Sequence, residues 1–239
     1  MLFAEWRLIL TGPADGSVNM AIDEATLTLV SERRAPPTVR IYYWESPCYS
    51  IGYLQETSAR WRASLRSRCK QVRRLTGGNL HLHGGDLSYS LVVPLTDTLV
   101  PSSVLASYER ISFAVIEGLR LMGFDARFVP PTEVQIDGHV IATAAQARKQ
   151  GVLLQQGSVA LNRCAVRGKP QRACLAMTPL SELVGSQIDF EDAARALAMG
   201  FRRALGVDLS PGILFAREKR LARQFLREKY SNSAWTYSR

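Results

Sequence analysis

The sequence has few residues of the kinds that bind metals or form disulfides. Its 239 residues include four cysteines and three histidines, and no two cysteines form a C-x-x-C pair. Zinc knuckles and disulfide scaffolds need that spacing or more cysteines, so both are excluded and no metal site is predicted. No apolar run approaches the ~20 residues that cross a bilayer. Glu5 and Arg7 interrupt the apolar start, so no signal peptide is expected. These absences predict a cytoplasmic protein without a membrane partner.

Low-complexity tracts and internal repeats are also missing, and nothing in the composition indicates disorder. The chain is 46% hydrophobic, enough for a large core, and we expect one domain over residues 1–239. Its formal net charge of +9 suits nucleic acid, an acidic membrane or an acidic protein partner. Apart from Trp61, aromatic residues do not interleave with the basic clusters in a stacking pattern. Because a nucleic-acid-binding face interleaves several aromatic residues with its basic ones, nucleic-acid binding is not expected.

Local patterns predict helices mixed with strand hairpins. The predicted helices cover 17–33, 57–70, 104–122, 189–206 and 214–230, and the predicted strands cover 38–44, 48–53, 134–136, 140–144 and 151–161. Residues 71–94 read as strand, Gly-Gly turn, strand, and Asp137-Gly138 is a strong hairpin signal. Since regular βαβ alternation is missing, the pattern predicts an α+β fold with a C-terminal helical portion over about 186–230.

The stretch 73–83 combines arginines, a glycine pair and two histidines. Gly77 and Gly78 lack a Cβ, so backbone N–H groups there can approach a ligand closely. Arg73 and Arg74 have the donor geometry that clamps a carboxylate or phosphate. The two histidines are two residues apart, so both imidazoles would face the same side of a strand. Two interpretations stay open: an anion-contacting loop, or a tight hairpin with solvated arginines.

Several ordered motifs resemble one protein family. RRLTGG at 73–78, with His83 and LSYS at 87–90, resembles the signature loop of the lipoate–protein ligase and octanoyltransferase family. NMAIDE at 19–24 is similar to the family's N-terminal helix motif. The segments 44–55, 145–158 and 205–235 are similar to its W-x-x-P…S-x-G-x-x-Q strand pair, its A-Q…G-S hairpin and its tail. The resemblance covers nearly the whole chain.

This resemblance implies the fold of biotin and lipoate ligase catalytic domains, a mixed, mostly antiparallel sheet with packed helices. It also implies transfer of an octanoyl or lipoyl group to a lysine of an acidic lipoyl domain, in the glycine cleavage H protein or in the acyltransferase subunit of a 2-oxoacid dehydrogenase. The group would come from the free acid with ATP and magnesium, as in the ligases, or from an acyl carrier protein. With no room for the ligases' accessory domain, we expect the transferase layout or a chain that works with a second ligase subunit.

The family's binding residues carry over to specific positions of this chain. The implied contacts to the acyl or lipoyl group, or to a nucleotide, are Arg73, Arg74, Thr76, Gly77, Gly78, His83, Gln146, Gln155 and Gly157. Arg74 is expected beside the acyl carbonyl or the phosphate. The apolar chain is expected in a groove lined by the strands of 40–55 and 75–90.

The chain departs from the family at its catalytic lysine. The family segment G-x-K-I-x-G-x-A-Q reads GHVIATAAQ at 138–146, which places Val140 at the lysine position, and valine carries neither a charge nor a hydrogen-bond donor. The cysteine-dependent transferases carry their nucleophile a little earlier, yet 124–131 contains no cysteine. His139, Lys149 and Cys48 are the candidates to replace these groups.

Two functions follow, and the residues alone assign no catalytic group. The first is an acyltransferase or ligase of protein lipoylation that uses an unusual residue set or a partner subunit. The second is a catalytically inactive member that binds the acyl group or the lipoyl domain. The valine at the lysine position favours the second, whereas the retained loop motif favours a cavity that still binds a ligand.

Overall fold

The computed structural model describes residues 5–66, 69–164 and 176–239. Its strands are β1 (Glu5–Ala14), β2 (Thr38–Trp44), β3 (Cys48–Ile51), β4 (Lys70–Arg73), β5 (His81–His83), β6 (Asp86–Pro94), β7 (Arg127–Val129), β8 (Glu133–Ile136), β9 (His139–Lys149), β10 (Val152–Ala160) and β11 (Asp208–Gly212). Its helices are α1 (Gly16–Ser31), α2 (Ala59–Arg66), α3 (Val104–Leu121), α4 (Leu180–Val184), α5 (Phe190–Leu205), α6 (Ala216–Phe225) and α7 (Ser233–Thr236), with a π-helical turn (Leu226–Tyr230) after α6. Within these ranges no helix is both long and apolar enough to cross a membrane.

Eight strands form one large sheet in the order β11-β1-β2-β6-β10-β9-β8-β7. The pairs β11–β1 and β1–β2 are parallel, and the remaining pairs are antiparallel. A second, small sheet has the order β4-β3-β5. The predicted fold class, α+β with a mixed and mostly antiparallel sheet, is therefore confirmed.

Helices α3 and α5 pack together against the large sheet. Ile111 and Leu119 recur at helical spacing on α3 and meet Phe201 of α5 in the main core. The two helices approach closely at Gly200, where a Cβ would lie 2.3 Å from the carbonyl oxygen of Ala114. A larger side chain at this position would push the helices apart and disrupt the core.

A buried ion pair fastens the C-terminal helices to the first strand. Arg7 of β1 donates to both carboxylate oxygens of Glu218 on α6, at 2.8 and 2.6 Å. The Glu218 side chain is fully buried and also accepts a hydrogen bond from the hydroxyl of Thr26 on α1. Because either charge without its partner would be buried and uncompensated, the pair fixes α6 over α1 and β1.

The strongest local signals of the sequence correspond to real elements. α1, β2, α3 and α5 lie where they are predicted, and the side chain of Asp189 caps α5 by accepting from two backbone N–H groups. Gly206 ends that helix with a φ of 66°. Asp137 and Gly138 have φ values of 48° and 82° in the turn between β8 and β9, as the hairpin prediction requires.

The segment 71–94 differs from the predicted hairpin. β4 pairs in parallel with β3, and β5 pairs antiparallel with the other edge of the same strand. The Gly-Gly segment therefore crosses from one side of β3 to the other. Arg73 and Arg74 are 0% and 8% exposed, so the interpretation as a tight hairpin with solvated arginines is wrong.

Other differences concern the ends of the chain and of its helices. β1 and β11 are absent from the prediction, and β11 contains a proline and a glycine, so it owes its strand conformation to pairing with β1. The predicted helix 57–70 is shorter, Ala59–Arg66. The predicted helix 214–230 is α6 followed by the π-helical turn.

Candidate functional site

A cavity of about 280 Å³ lies where the small sheet meets the large one. Its apolar wall includes Met20, Trp44, Leu80, Tyr108 and Ala145. Its polar part includes Ser50, Arg74, His83, Ser88 and Ser158. Since small-molecule sites span about 300–1,000 Å³, this cavity suits a small ligand with an apolar body and a polar end.

The buried guanidinium of Arg74 organises the polar part of the cavity. It donates to the carbonyl oxygen of Ser50 at 2.8 Å and to the hydroxyl of Ser50 at 3.0 Å. It also donates to the carbonyl oxygens of Gly77 and Asn79, at 2.6 and 2.7 Å. Burial lowers the pKa of Arg74 from 12.5 to about 10, so the side chain is charged at neutral pH. Arg74 thus holds the glycine segment against β3 and places a positive charge beside Ser50.

Two glycines of separate motifs touch each other beside Arg74. A Cβ on Gly52 would lie 1.9 Å from the carbonyl oxygen of Gly78, so only glycine allows this approach. Gly78 has a φ of 81°, which also favours glycine. Gly52 and Gly78 are 26 positions apart in the sequence, but their backbones pack directly against each other.

Three polar side chains form a hydrogen-bonded chain at the end of the cavity. The hydroxyl of Ser50 lies 2.8 Å from Nε2 of His83, and Nδ1 of His83 lies 2.7 Å from Oδ2 of Asp86. Trp44 stacks on the imidazole with 3.7 Å between ring centroids and 13° between planes. Both ring nitrogens of His83 are therefore occupied, and its ring plane is held.

Asp86 is buried and ionised. Burial alone raises the pKa of its carboxyl group, but the neighbouring His83, the hydrogen bond from His83 and the N–H of Gly84 outweigh burial and hold the pKa well below 3.8. Gly84 N–H donates to Oδ1 at 2.9 Å, and the Ser88 hydroxyl donates to Oδ2 at 3.0 Å. An ionised carboxylate at this position accepts a hydrogen bond from Nδ1–H of His83, and in that tautomer of the neutral imidazole Nε2 is the acceptor for the hydroxyl of Ser50.

His81 shares this side of the small sheet, as the spacing of the two histidines predicts. The ring centroids of His81 and His83 are 4.4 Å apart, and Nε2 of His81 makes no hydrogen bond. Burial, and then the neighbouring His83, lowers the pKa of His81 from 6.5 to about 3. The ligand atoms of His81, His83 and Asp86 lie within 4.8 Å of one another and could hold a metal ion. Such an ion would displace a hydrogen bond that His83 already makes.

A second polar network supports the floor of the cavity. Arg40 donates to Asp23 at 2.8 Å, and Gln156 donates to the same carboxylate at 2.6 Å. The hydroxyl of Thr76 donates to Gln156 at 2.7 Å. Arg40 also donates to Asn19, so Asn19 and Asp23 of the NMAIDE motif hold the sheet from α1.

The predicted contact residues divide into two groups. Arg74, Gly78, His83 and Gly157 line the cavity. Arg73, Thr76, Gly77, Gln146 and Gln155 are not among the lining residues. Arg73 donates to the carbonyl oxygens of Gly52, Gln55 and Thr236, at 2.7, 2.9 and 3.0 Å, and so joins the loop after β3 to α7. Ligand contact stays a prediction for both groups.

The candidates for the missing lysine or cysteine lie apart from the cavity. Val140 and His139, at the start of β9, are not among the lining residues, and His139 is exposed. The ammonium of Lys149 lies 4.2 Å from the centroid of the Tyr53 ring. Cys48 is buried, and burial raises the pKa of its thiol well above the ordinary value. Among the described cysteines, Cys48, Cys69 and Cys164, none lines the cavity, and Cys174 lies outside the described residues.

Sequence reasoning placed Ser50 and Trp44 only in a motif and missed Asp86. A serine and a histidine that are 33 positions apart give no local sign of contact. The available signal was weak: Asp86 follows His83 by three residues, and Ser50 alternates with Cys48 on a predicted strand.

The mixed sheet and the cavity with a buried arginine and histidine agree with the lipoate-ligase-type catalytic domain that the motifs predict. A family model described as the lipoyl protein ligase A/B catalytic domain matches residues 15–202. The chain therefore belongs to the lipoyl protein ligase A/B catalytic-domain family, as the motifs predict. This family comprises enzymes that attach lipoyl or octanoyl groups to proteins.

Similar proteins support the same assignment over nearly the full length. The octanoyltransferase LipM of Kyrpidia tusciae is 35% identical over 270 residues, covering 97% of this chain and 98% of that protein. LipM of Bacillus subtilis is 30% identical over 273 residues, covering 98% of each. Octanoyltransferase relatives thus place this chain in octanoyl or lipoyl transfer during protein lipoylation.

Solved structures share the fold at lower identity. Lipoate-protein ligase A bound with ATP matches with a TM-score of 0.81 and 24% identity, over 98% of each chain. The bi-partite lipoate protein ligase of Thermoplasma acidophilum, described with its E2 lipoyl domain, matches with a TM-score of 0.78 and 24% identity, over 98% of this chain and 97% of that one. These likenesses confirm the predicted ligase-type fold.

Proposed function

We propose that this protein is an active acyltransferase that moves an octanoyl or lipoyl group from a carrier-protein thioester to a lysine of a lipoyl domain, without ATP. The observation that carries the proposal is the cavity, which is lined by apolar side chains and by Ser50, Arg74 and His83. An acyl chain needs that apolar wall, and its carbonyl needs a polar group at the end. The relatives at 30% identity or more are octanoyltransferases, which favours transfer over ATP-dependent ligation.

The charge at the end of the cavity suits acyl transfer. Negative charge develops on the carbonyl oxygen when a nucleophile attacks a thioester, and prearranged donors in a site that excludes water stabilise it strongly. Arg74 is 8% exposed, and its guanidinium donates to four acceptors on Ser50, Gly77 and Asn79. Because its N–H groups already donate to these acceptors, Arg74 would act on the carbonyl oxygen through its charge.

The acceptor is expected to be an acidic lipoyl domain. The chain carries a formal net charge of +9, which accelerates the approach of an acidic partner and weakens as salt increases. The lipoyl domains of the glycine cleavage H protein and of a 2-oxoacid dehydrogenase are the acceptors to test, and an acyl carrier protein is the donor.

One observation favours a second function, a non-catalytic acyl-binding subunit. Val140 occupies the position of the family lysine, and none of the described cysteines lines the cavity. A protein that only binds would retain the apolar wall and Arg74, but it would not transfer the group.

An intact-mass assay separates these functions. Purified protein is mixed with an apo lipoyl domain and either an octanoyl carrier protein or lipoate with ATP and magnesium. The proposal predicts that the lipoyl domain gains one octanoyl group from the carrier-protein donor alone. Gain only with ATP would identify a ligase. No gain with either donor, together with measurable octanoate binding, would identify the binding subunit.

A further inference from the structure

We propose that Ser50 is the acyl nucleophile of this protein, with His83 as its general base and Asp86 as the residue that positions His83. The inference rests on the proposed acyl transfer and specifies how this chain performs it without the family's lysine and without a cysteine among the described residues that line the cavity. Ser50 and His83 would be catalytic residues that touch the acyl group, whereas Asp86 would act only through His83.

The geometry matches the requirements for an activated serine. The nucleophile and the base must lie within about 2.6–3.2 Å, and a third group must orient the base. Here the Ser50–His83 distance is 2.8 Å and the His83–Asp86 distance is 2.7 Å. Both Ser50 and His83 line the cavity, so the hydroxyl lies where an acyl carbonyl would reach it. The same three roles recur on unrelated folds and are recognised by geometry alone.

The other two serines that line the cavity lack this arrangement. Ser88 donates to Asp86 and accepts from the indole N–H of Trp44, and it makes no hydrogen bond to a histidine in the described structure. Ser158 lies 2.9 Å from the Ser88 hydroxyl. Ser50 alone among these three serines bonds a histidine that a carboxylate orients. The hydrogen-bonded chain of Ser50, His83 and Asp86 therefore distinguishes Ser50 from the other two serines.

Arg74 supplies the electrostatic component. Its guanidinium lies 3.0 Å from the hydroxyl of Ser50, where it favours loss of the hydroxyl proton and stabilises the charge of the tetrahedral intermediate. Trp44, stacked on His83, holds the imidazole plane while the ring takes up and returns the proton. Ser50 is 1% exposed and His83 is 5% exposed. This burial limits hydrolysis of an acyl ester on Ser50 by water.

The proposed reaction has two steps, acylation of Ser50 and transfer of the acyl group to the acceptor lysine. In acylation, Ser50 Oγ attacks the thioester carbonyl carbon, its proton moves to Nε2 of His83, the carbon–sulfur bond breaks, and the thiolate of the carrier protein takes that proton. In transfer, the neutral lysine amine of the lipoyl domain attacks the ester carbonyl. The carbon–oxygen bond to Ser50 then breaks, and the proton of the amine returns to Ser50 through His83. No oxidant, metal or ATP is consumed.

The test traps the acyl-enzyme. Full-length protein is incubated with octanoyl carrier protein and no acceptor, quenched in acid, and analysed by intact mass and peptide mapping. We expect one octanoyl group on the peptide containing Ser50. The adduct should survive neutral hydroxylamine, because oxygen esters resist it whereas cysteine thioesters are cleaved. Addition of apo lipoyl domain should then discharge the group onto the acceptor lysine.

Variants separate chemistry from folding. Ser50→Ala should lose the adduct, whereas Ser112→Ala, a serine that is similarly buried (2% exposed) on α3 and does not line the cavity, should retain it. Ser50→Cys should restore an adduct that neutral hydroxylamine now cleaves. His83→Gln should slow acylation by about 10²–10⁴-fold, the usual contribution of a general base. Circular dichroism and thermal unfolding check that each variant is folded.

Asp86 needs a measurement that a purely structural role would not change. Asp86→Asn should lower the maximal rate of Ser50 acylation in the same direction as His83→Gln. The donor concentration for half-maximal rate should stay close to that of the unchanged protein. A serine-directed fluorophosphonate with an octyl chain should label Ser50 in the unchanged protein and lose this labelling in both variants. Labelling should also persist after chelation of metal ions.

Other results overturn the proposal. An adduct on a cysteine, or transfer by Ser50→Ala at the unchanged rate, would remove Ser50 as nucleophile and leave the proposed transferase function intact. Acylation that chelation abolishes would assign the histidines and Asp86 to a metal instead. If the protein neither transfers octanoyl to a lipoyl domain nor forms the adduct, both the function and the nucleophile are wrong. An adduct on Ser50 that no lipoyl domain discharges would support the nucleophile and refute the proposed acceptor.

Discussion

The loop 74–86 and the hairpin 133–149 both border the cavity, but they differ in chemistry. The loop brings Arg74, His83 and Asp86 together, and all three are buried and hydrogen-bonded. The hairpin lines the cavity with one ionisable residue, Glu133, and otherwise with threonine and alanine. The motif resemblance predicts a lysine on the hairpin, where this chain has Val140, and the chemistry proposed above lies on the loop instead.

The loop and the hairpin also differ in how much stability a substitution would cost. Each polar atom of Arg74 and Asp86 that the loop buries is hydrogen-bonded, so removing one partner leaves another unsatisfied. Val140 on the hairpin is only partly buried and does not line the cavity. The loop is therefore constrained as a unit, whereas the hairpin position can change without that cost.

Among the variants of the loop and the hairpin, Arg74→Ala is expected to have the largest effect on octanoyl transfer and on stability. Arg74→Ala deprives the carbonyl oxygens of Ser50, Gly77 and Asn79 of their donor and removes the charge beside the hydroxyl of Ser50. We expect octanoyl transfer to fall by about 10²-fold or more. The free energy of unfolding should fall by about 3 kcal/mol, because buried acceptors lose their partner. Transfer rates and urea unfolding measure the two effects.

Arg202→Ala provides the matched control, since the Arg202 side chain is 67% exposed. Its free energy of unfolding should change by no more than about 0.5 kcal/mol, and transfer should be unchanged. A transfer rate of Arg74→Ala close to that of the unchanged protein would show that the loop does not contain the chemistry.

Replacement of His81 tests the burial of the loop through acid stability. His83, Asp86 and Arg74 face this imidazole, and its pKa is lowered from 6.5 to about 3 in the folded chain. As the pH falls below 6.5, the unfolded chain binds a proton that the folded chain excludes, so stability is lost. By pH 5 the loss is about 2 kcal/mol relative to pH 7. His81→Leu should remove this loss.

Urea unfolding at pH 7 and pH 5 measures the difference. The control is His139→Gln on the hairpin, whose side chain is exposed and should leave the acid dependence of the unchanged protein intact. Protonation of Asp86 contributes only below its ordinary pKa of 3.8, outside this window. Equal acid sensitivity of His81→Leu and the unchanged protein would contradict the burial argument.

Lys149 at the end of the hairpin should contribute little. Its ammonium lies over the Tyr53 ring, and a cation–π contact at such a site contributes about 0.5–1 kcal/mol. Lys149→Ala should therefore lower the free energy of unfolding by that amount and leave octanoyl transfer unchanged. A large loss of transfer, with binding of the lipoyl domain retained, would instead return Lys149 to the catalytic candidates.

Restoration of the family lysine should have the smallest effect. Val140→Lys adds a long side chain at a partly buried position, where its ammonium can extend to water, and should change stability by less than about 1 kcal/mol. Since the position does not line the cavity, we expect no ATP-dependent attachment of lipoate to a lipoyl domain. Release of pyrophosphate from ATP with lipoate measures this directly. Its appearance would show that a single residue separates this chain from ligase chemistry.

Some elements can be predicted from the local sequence and others cannot, because only some of them depend on local interactions. α3 and α5 were predicted because apolar spacing and end signals are local, as Asp189 and Gly206 illustrate at α5. β11 was missed because its sequence, DLSPG, has no strand preference and pairs with β1, some 200 positions away. The Gly-Gly segment resembles a hairpin turn in sequence, but a turn signal does not determine which strand the flanking residues pair with. Here β4 and β5 both pair with β3.

The fold class, the family and the side of the strand shared by His81 and His83 can be predicted from the sequence, since they depend on periodicity and ordered motifs. Which serine meets which histidine depends on tertiary packing. Pairing of β3 with β5 sets Ser50 opposite His81, which makes His83 its diagonal neighbour on the same face. A shift of one residue in this register would turn Ser50 away from both histidines, and register depends on distant packing rather than on the residues of either strand.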